Sequence, residues 1–165
     1  MRRTVTCRDI RGNRTEVSIA DLTFRPSIYG VIVRDENVLL HGYEDGWDFP
    51  GGGVDLGESF PEAFEREIFE ETGMHASPAK LLMFKEDYFI HPGTNRPYHT
   101  ILFFYSCAQL SGTLSTDHFD DHEKTVARLA EWKPIADILT LKSFSPLSID
   151  ERIRIVTMAQ EGKGI

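Results

Sequence analysis

The chain has 165 residues, 41% apolar and 27% charged, which are the proportions of one ordinary folded domain and not of a disordered, fibrous or membrane-embedded protein. Acidic residues outnumber basic ones 26 to 18, and a net charge of -8 argues against a broad nucleic-acid-binding surface while leaving room for a small phosphate pocket. Two distant cysteines, Cys7 and Cys107, and the lack of any apolar run near the roughly 18 residues of a membrane span point to a reduced, cytoplasmic setting with no membrane contact.

Residues 4–10 and 15–22 alternate polar and apolar around Arg11-Gly12-Asn13-Arg14, the pattern of a β-hairpin. This extension, residues 1–24, is expected either to pair with or cover an edge of the main sheet, or to serve as a homodimerisation element that helps shape a substrate pocket. Residues 27–33 and 37–43 are apolar runs on either side of Arg34-Asp35-Glu36 and read as a second hairpin. Trp47 follows, suited either to stacking on a nucleobase or to wedging the core, and Pro50 ends the strand by removing a backbone donor.

Residues 50–74 carry the densest signal. Gly51-Gly52-Gly53 lets a ligand approach the main chain, and Ser59 followed by Glu62 is a capping box. Gly73 stands where a left-handed C-terminal cap belongs, so the spacing predicts a helix over 60–72. Phe60, Phe64 and Ile68, with Ala63 beside them, share the face that a domain would bury. Glu67 and Glu71 project into the same sector with Glu70 alongside. Like charges three and four apart repel by a few tenths of a kcal/mol per pair even in water. A hard divalent cation with oxygen ligands is the natural compensation near a buried face. Arg66 is placed to pair with Glu70 or to reach back to Glu58.

Beyond the helix, residues 80–90 and 98–110 read as two long strands joined by a turn-rich loop, 91–97, that carries His91 and Arg96. A second acidic concentration, Asp117 to Glu123, is a polar loop in which Asp120 caps a short helix through Glu123. Glu131-Trp132-Lys133-Pro134 suits a late strand. Ser148 with Glu151 opens a C-terminal helix over 148–160, with Ile149, Ile153, Val156 and Ala159 at helical spacing.

The run Gly52, five residues, Glu58, seven residues, Arg66-Glu67-Ile68, one residue, Glu70-Glu71, one residue, Gly73-Met74 resembles the Nudix box of the Nudix hydrolases. Met74 is the one departure, a volume-conserving exchange for the usual aliphatic residue. The segment from Gly46 to Gly52 is similar to the one that leads into the box. The resemblance implies an α/β fold: an α/β/α sandwich with a mixed β-sheet, here carrying the N-terminal β-hairpin extension, in a single domain over 1–165 with its core at 25–160.

It also implies metal-dependent hydrolysis of the pyrophosphate linkage in a nucleoside diphosphate joined to another moiety X, by water attack on phosphorus. On matching positions, Glu67, Glu70 and Glu71 would bind Mg2+, with Mn2+ as a substitute and the Gly52 carbonyl completing the shell. Arg66 would hold the carboxylates, Glu58 would orient Arg66 or contribute through water, and Glu67 and the loop acid Glu123 are rival general bases, with Glu123, ahead of Asp120 and Asp121, also open as a metal ligand. Trp47, Arg96, Gly51 and Gly52 are the expected substrate contacts. Nucleotide sugars such as ADP-ribose, damaged nucleoside triphosphates and dinucleoside polyphosphates all remain open as substrates. The alternative is a Nudix-fold nucleotide sensor that does not cleave. Isomerase chemistry on an isoprenoid diphosphate would need a catalytic cysteine, and Cys107 lies inside an apolar strand.

Overall fold

Short-range chemistry sets both ends of the first long helix. The computed structural model, which describes residues 3–119 and 127–165, has α1 at Phe60–Thr72. The Glu62 amide is capped by the Ser59 side chain, and the Glu62 carboxylate accepts from the Ser59 amide at 2.8 Å. Gly73 closes the helix at φ 74°, a left-handed conformation costly for any residue with a Cβ, and its amide donates to the Phe69 carbonyl at 2.8 Å. The same capping box, from Ser148 and Glu151, opens α2 at Ile149–Gln160.

In chain order the strands are β1 (Thr4–Arg8), β2 (Arg14–Ser18), β3 (Thr23–Phe24), β4 (Ser27–Val31), β5 (Val33–Arg34), β6 (Asn37–Tyr43), β7 (Gly46–Asp48), β8 (Gly51–Gly53), β9 (Met74–Ile90), β10 (Pro97–Gly112) and β11 (Ala127–Pro134). A mixed sheet runs β2-β1-β9-β10-β4-β8, with β3 also paired to β10. A smaller sheet holds β11, β6, β5 and β7. The apolar run expected as one arm of a hairpin is therefore divided at Ile32. β4 belongs to the large sheet and β5 to the small one, and the Leu39 amide bonds the Ile32 carbonyl at 2.9 Å across the junction.

β9 begins at Met74, earlier than the expected residue 80. Register shifts along β9 and β10 let Pro78 stand opposite Cys107 without ending the pairing, and those irregularities hide the strand from a period-two reading.

Alternating residues feed two cores. Ile28, Ile32 and Leu39 pack with Phe64 and Ile68 of α1, while Val31, Val38, Leu40 and Phe104 pack with Ile155 and Val156 of α2. Full burial of side chains such as Phe64 and Ile68 contributes about 2–3 kcal/mol each. The helices thus cover opposite faces, completing the α/β/α sandwich. The N-terminal hairpin extends the large sheet: β1 pairs antiparallel with β2 and parallel with β9 at Arg8 and Phe89. Among the described residues no helix is long and apolar enough to cross a membrane.

Candidate functional site

The carboxylates of α1 meet the glycine strand β8 on the floor of a cavity of about 590 Å³. Glu67 is buried at 9% exposure, and the Glu71 side chain is nearly as enclosed at 13%, whereas that of Glu70 is 41% exposed. Arg66 holds this cluster together with all five of its N–H groups. Nε donates to Glu58 Oε1 at 2.8 Å, and Nη2 donates to Glu58 Oε2 at 2.9 Å and to the Gly53 carbonyl at 3.1 Å. Nη1 donates to Glu67 Oε1 at 2.8 Å and to Glu70 Oε2 at 3.0 Å. The pairing with Glu58 holds that carboxyl below the usual range and raises Arg66 further above its own.

Glu71 is fixed separately. Its Oε2 accepts the Gly51 amide at 2.7 Å, and its Oε1 lies 3.0 Å from His41 Nδ1 on β6. Burial first, and then the negative charge of Glu71, push the Glu67 carboxyl up to about 8 against the opposing pull of Arg66. Gly52 is needed here for close approach: a Cβ at that position would stand 2.6 Å from both Glu67 oxygens.

The other walls come from distant parts of the chain. Tyr29 on β4 stacks on Phe104 at 5.2 Å, and burial together with the charges of Glu71, Glu67 and Asp48 drives its phenol well above the usual range. Asp48 accepts from the Phe144 and Ser145 amides at 3.0 and 3.2 Å and from the Ser143 hydroxyl, which pins the segment before α2 at one end of the cavity. Arg25 donates to the Gly53 carbonyl at 3.1 Å and to Asp55 at 2.9 Å beside the glycine strand.

Residues 23–151 of the chain match the NUDIX domain family. The chain belongs to the Nudix family. A Bacillus subtilis (strain 168) relative, YjhB, whose name assigns it provisionally to the ADP-ribose pyrophosphatases, is 28% identical over 102 residues, covering 61% of this chain and 49% of the relative. An RNA pyrophosphohydrolase from Hydrogenovibrio crunogenus (strain DSM 25203 / XCL-2) is 35% identical over 81 residues, 47% of each chain. The chain thus spans about half the length of these curated relatives. The crystal structure of a MutT Nudix hydrolase from Burkholderia pseudomallei superposes with a TM-score of 0.57 at 24% identity, covering 81% of this chain and 96% of that one, a likeness of fold.

Within this Nudix fold Gly51, Gly52, Arg66, Glu67, Glu70 and Glu71 all line the cavity, and Glu58 stands behind Arg66. Trp47 and Arg96 do not line it. Trp47 is the core wedge of its two readings and not the base platform: it is buried, with Arg128 Cζ 4.5 Å and Lys133 Nζ 4.1 Å from its ring centroid. Arg96 sits exposed in the turn between β9 and β10, where its carbonyl accepts the His91 amide at 2.9 Å. Glu123, the rival base, lies outside the described residues, as do Asp120 and Asp121.

Sequence reasoning did not single out Arg8, Arg25, Tyr29, His41 or Asp87, all of which line the cavity. Only the isolated polar residues inside apolar strands, Tyr29 and His41, carried a signal that could have found them.

The donor set suits a hard cation in type and charge. Carboxylate oxygens predominate, and six carboxylates face three guanidiniums around the cavity. Arg66, His41 and the Gly51 amide are partners of the cluster, and among the described residues no group of three or more His, Cys, Asp and Glu side chains is gathered to hold an ion.

Proposed function

We propose that the chain is a metal-dependent pyrophosphohydrolase that cleaves a nucleoside diphosphate linked to another moiety X. The observation that carries this reading is the buried Glu67, held between Arg66 and Gly52 with its carboxyl raised to about 8 by burial and by Glu71. An enclosed carboxylate surplus of this kind is stabilised by a divalent cation, Mg2+ or Mn2+, which Glu67, Glu70, Glu71 and the Gly52 carbonyl would hold. Once bound, the ion would supply charge stabilisation for the phosphoryl oxygens.

The chain's own groups have separate tasks. Arg66 keeps the glutamates in register, and Glu58 fixes Arg66. Glu67, buried on the floor of the cavity and held by Arg66, is placed to take the proton from the attacking water. The water oxygen forms the new bond to phosphorus as the bridging P–O bond breaks. The two halves leave as separate phosphates. Tyr29 brings a neutral phenol to the cavity wall as a donor to a phosphoryl oxygen. The YjhB relative's named substrate, ADP-ribose, belongs to the same chemical class. A cytoplasmic setting is part of this reading, in keeping with the two free thiols of Cys7 and Cys107.

The test is a hydrolysis screen over nucleotide sugars, damaged nucleoside triphosphates and dinucleoside polyphosphates, with and without Mg2+, in which products are identified by mass. Cleavage within the pyrophosphate only when Mg2+ is present is expected. Tight binding of a nucleotide with no cleavage of any class would make the protein a sensor instead.

A further inference from the structure

The hairpin lies outside the part of the chain that matches the Nudix family, yet Arg8 at the end of β1 forms part of the cavity wall. Its guanidinium grips Asp87 of β9 side-on: Nε lies 3.0 Å from Oδ2 and 3.2 Å from Oδ1, and Nη2 lies 2.7 Å from Oδ2. Nη1 donates to the Phe144 carbonyl at 2.8 Å. The two side chains are 26% and 11% exposed, so the pair is held firmly and still reaches the cavity. Both supports are tied into the fold. β1 is bonded to β2 on one side and to β9 on the other, and the hairpin turn is closed by Asp9, which accepts from the Arg11 and Asn13 amides at 2.8 Å. The main chain of Phe144 is fixed from its other side by Asp48.

What remains on this pair is specific. Nε donates to Asp87, Nη2 stands in ion-pair range of the same carboxylate and Nη1 donates to the Phe144 carbonyl, so the two terminal nitrogens keep donor capacity. Asp87 Oδ1 makes only the long contact and keeps acceptor capacity. The pair therefore keeps both donor and acceptor capacity at the cavity wall while being nearly neutral. Such a pair is a weak partner for another phosphate, because the arginine's charge is already matched and the cavity wall carries six carboxylates against three guanidiniums. It suits vicinal hydroxyls, which donate to the one group and accept from the other. Beside it, Phe89 and Tyr98, stacked on each other at 5.5 Å, add aromatic surface to the cavity wall.

We infer that Arg8 and Asp87 form a specificity element that reads the hydroxyl groups of a sugar ring in the substrate, which makes the N-terminal hairpin a working part of the site. The inference rests on the pyrophosphohydrolase reading and narrows it to substrates that place a sugar at this wall. The sugar is either the ribose of the nucleoside or a glycosyl X.

Three compounds separate the cases: ADP-glucose, its 2′,3′-dideoxyadenosine counterpart, and the phenyl ester of ADP, whose X has no hydroxyl. Each is given to the wild type and to the Asp87→Asn and Arg8→Lys variants, with kcat and KM measured under Mg2+ and binding measured by calorimetry. Melting curves establish that the variants are folded. The expected result is a loss of about 10- to 100-fold in kcat/KM for ADP-glucose, mostly in KM, with a matching loss of affinity. If the pair reads X, the dideoxy compound shows the same loss and the phenyl ester changes by about two-fold or less. If it reads ribose, the phenyl ester shows the loss and the dideoxy compound is spared. An equal loss on all three compounds, or no loss on any, overturns the inference. A wild type that cleaves none of a full substrate panel refutes the pyrophosphohydrolase reading instead, and the calorimetric contrast among the three ligands then still decides the role of the pair.

Discussion

The Glu67 carboxylate lies against the Cα of Gly52, where an added Cβ would stand 2.6 Å from both of its oxygens. That approach is far inside van der Waals contact, so any side chain at position 52 forces the carboxylate away from Arg66 Nη1. Gly52→Ala is expected to lower turnover by about 10- to 100-fold, the scale of a 1 Å misplacement in a catalytic site. The melting temperature should move little, because the carboxylate can swing into the cavity. Steady-state kinetics beside a thermal melt check this, and wild-type turnover in the alanine variant would refute it.

Arg66→Ala removes all five hydrogen bonds of the guanidinium and leaves Glu58, Glu67 and Glu70 facing one another. Breaking a buried pair costs about 3–5 kcal/mol. With the Arg66 side chain 29% exposed, solvent screening brings the expectation to about 1–3 kcal/mol. Arg66→Lys recovers only part of it, since an ammonium cannot reproduce the fork. Denaturant unfolding of the three proteins measures the difference.

The raised carboxyl of Glu67 makes the metal-free protein sensitive to alkali. Its folded value of about 8 lies above the ordinary 4.5, so between these two values the native state binds more protons than the unfolded one. Stability from this group is complete below pH 4.5 and is lost as the pH rises through about 8. Melting curves of the metal-free protein between pH 5 and pH 9 should fall more steeply for the wild type than for Glu67→Gln, and Mg2+ should restore the wild type at the alkaline end.

Much of this site was legible because its signals are local. Ser59 with Glu62 and the left-handed Gly73 bound α1 within one turn of themselves, and the spacing of Phe64, Glu67, Ile68 and Glu71 then sets the carboxylates beside the core. Arg8, Asp87 and Phe144 were not legible, because they come from three segments and meet only when β1 lies beside β9 and Asp48 draws in the loop before α2. Trp47 stayed open between two readings for a related reason. A tryptophan next to the glycine run resembles a stacking platform, and only the pairing of β11 with β6 brings up Arg128 and Lys133 against its ring. The strand switch at Ile32 was hidden because an apolar run reads alike whichever sheet receives it.

Cys107 is expected to be chemically quiet. Burial pushes its thiol up to about 11, against roughly 8.5 for a free cysteine, so its thiolate fraction at pH 8 is lower by about 100-fold or more. Alkylation of the native protein by iodoacetamide, followed by mass, should label Cys107 on the timescale of unfolding, and catalysis should survive Cys107→Ala. Fast labelling with loss of activity would point to cysteine-dependent chemistry.

The claim on which the rest depends is that the carboxylates of α1 act with a divalent cation. It is tested most directly by comparing Mg2+-dependent turnover of one cleaved nucleotide in the wild type, Glu70→Gln and Glu71→Gln, all shown to be folded. The predicted result is a fall of about 100-fold or more in at least one variant, with weakened Mg2+ dependence. Unchanged turnover and unchanged Mg2+ dependence in both variants would contradict it.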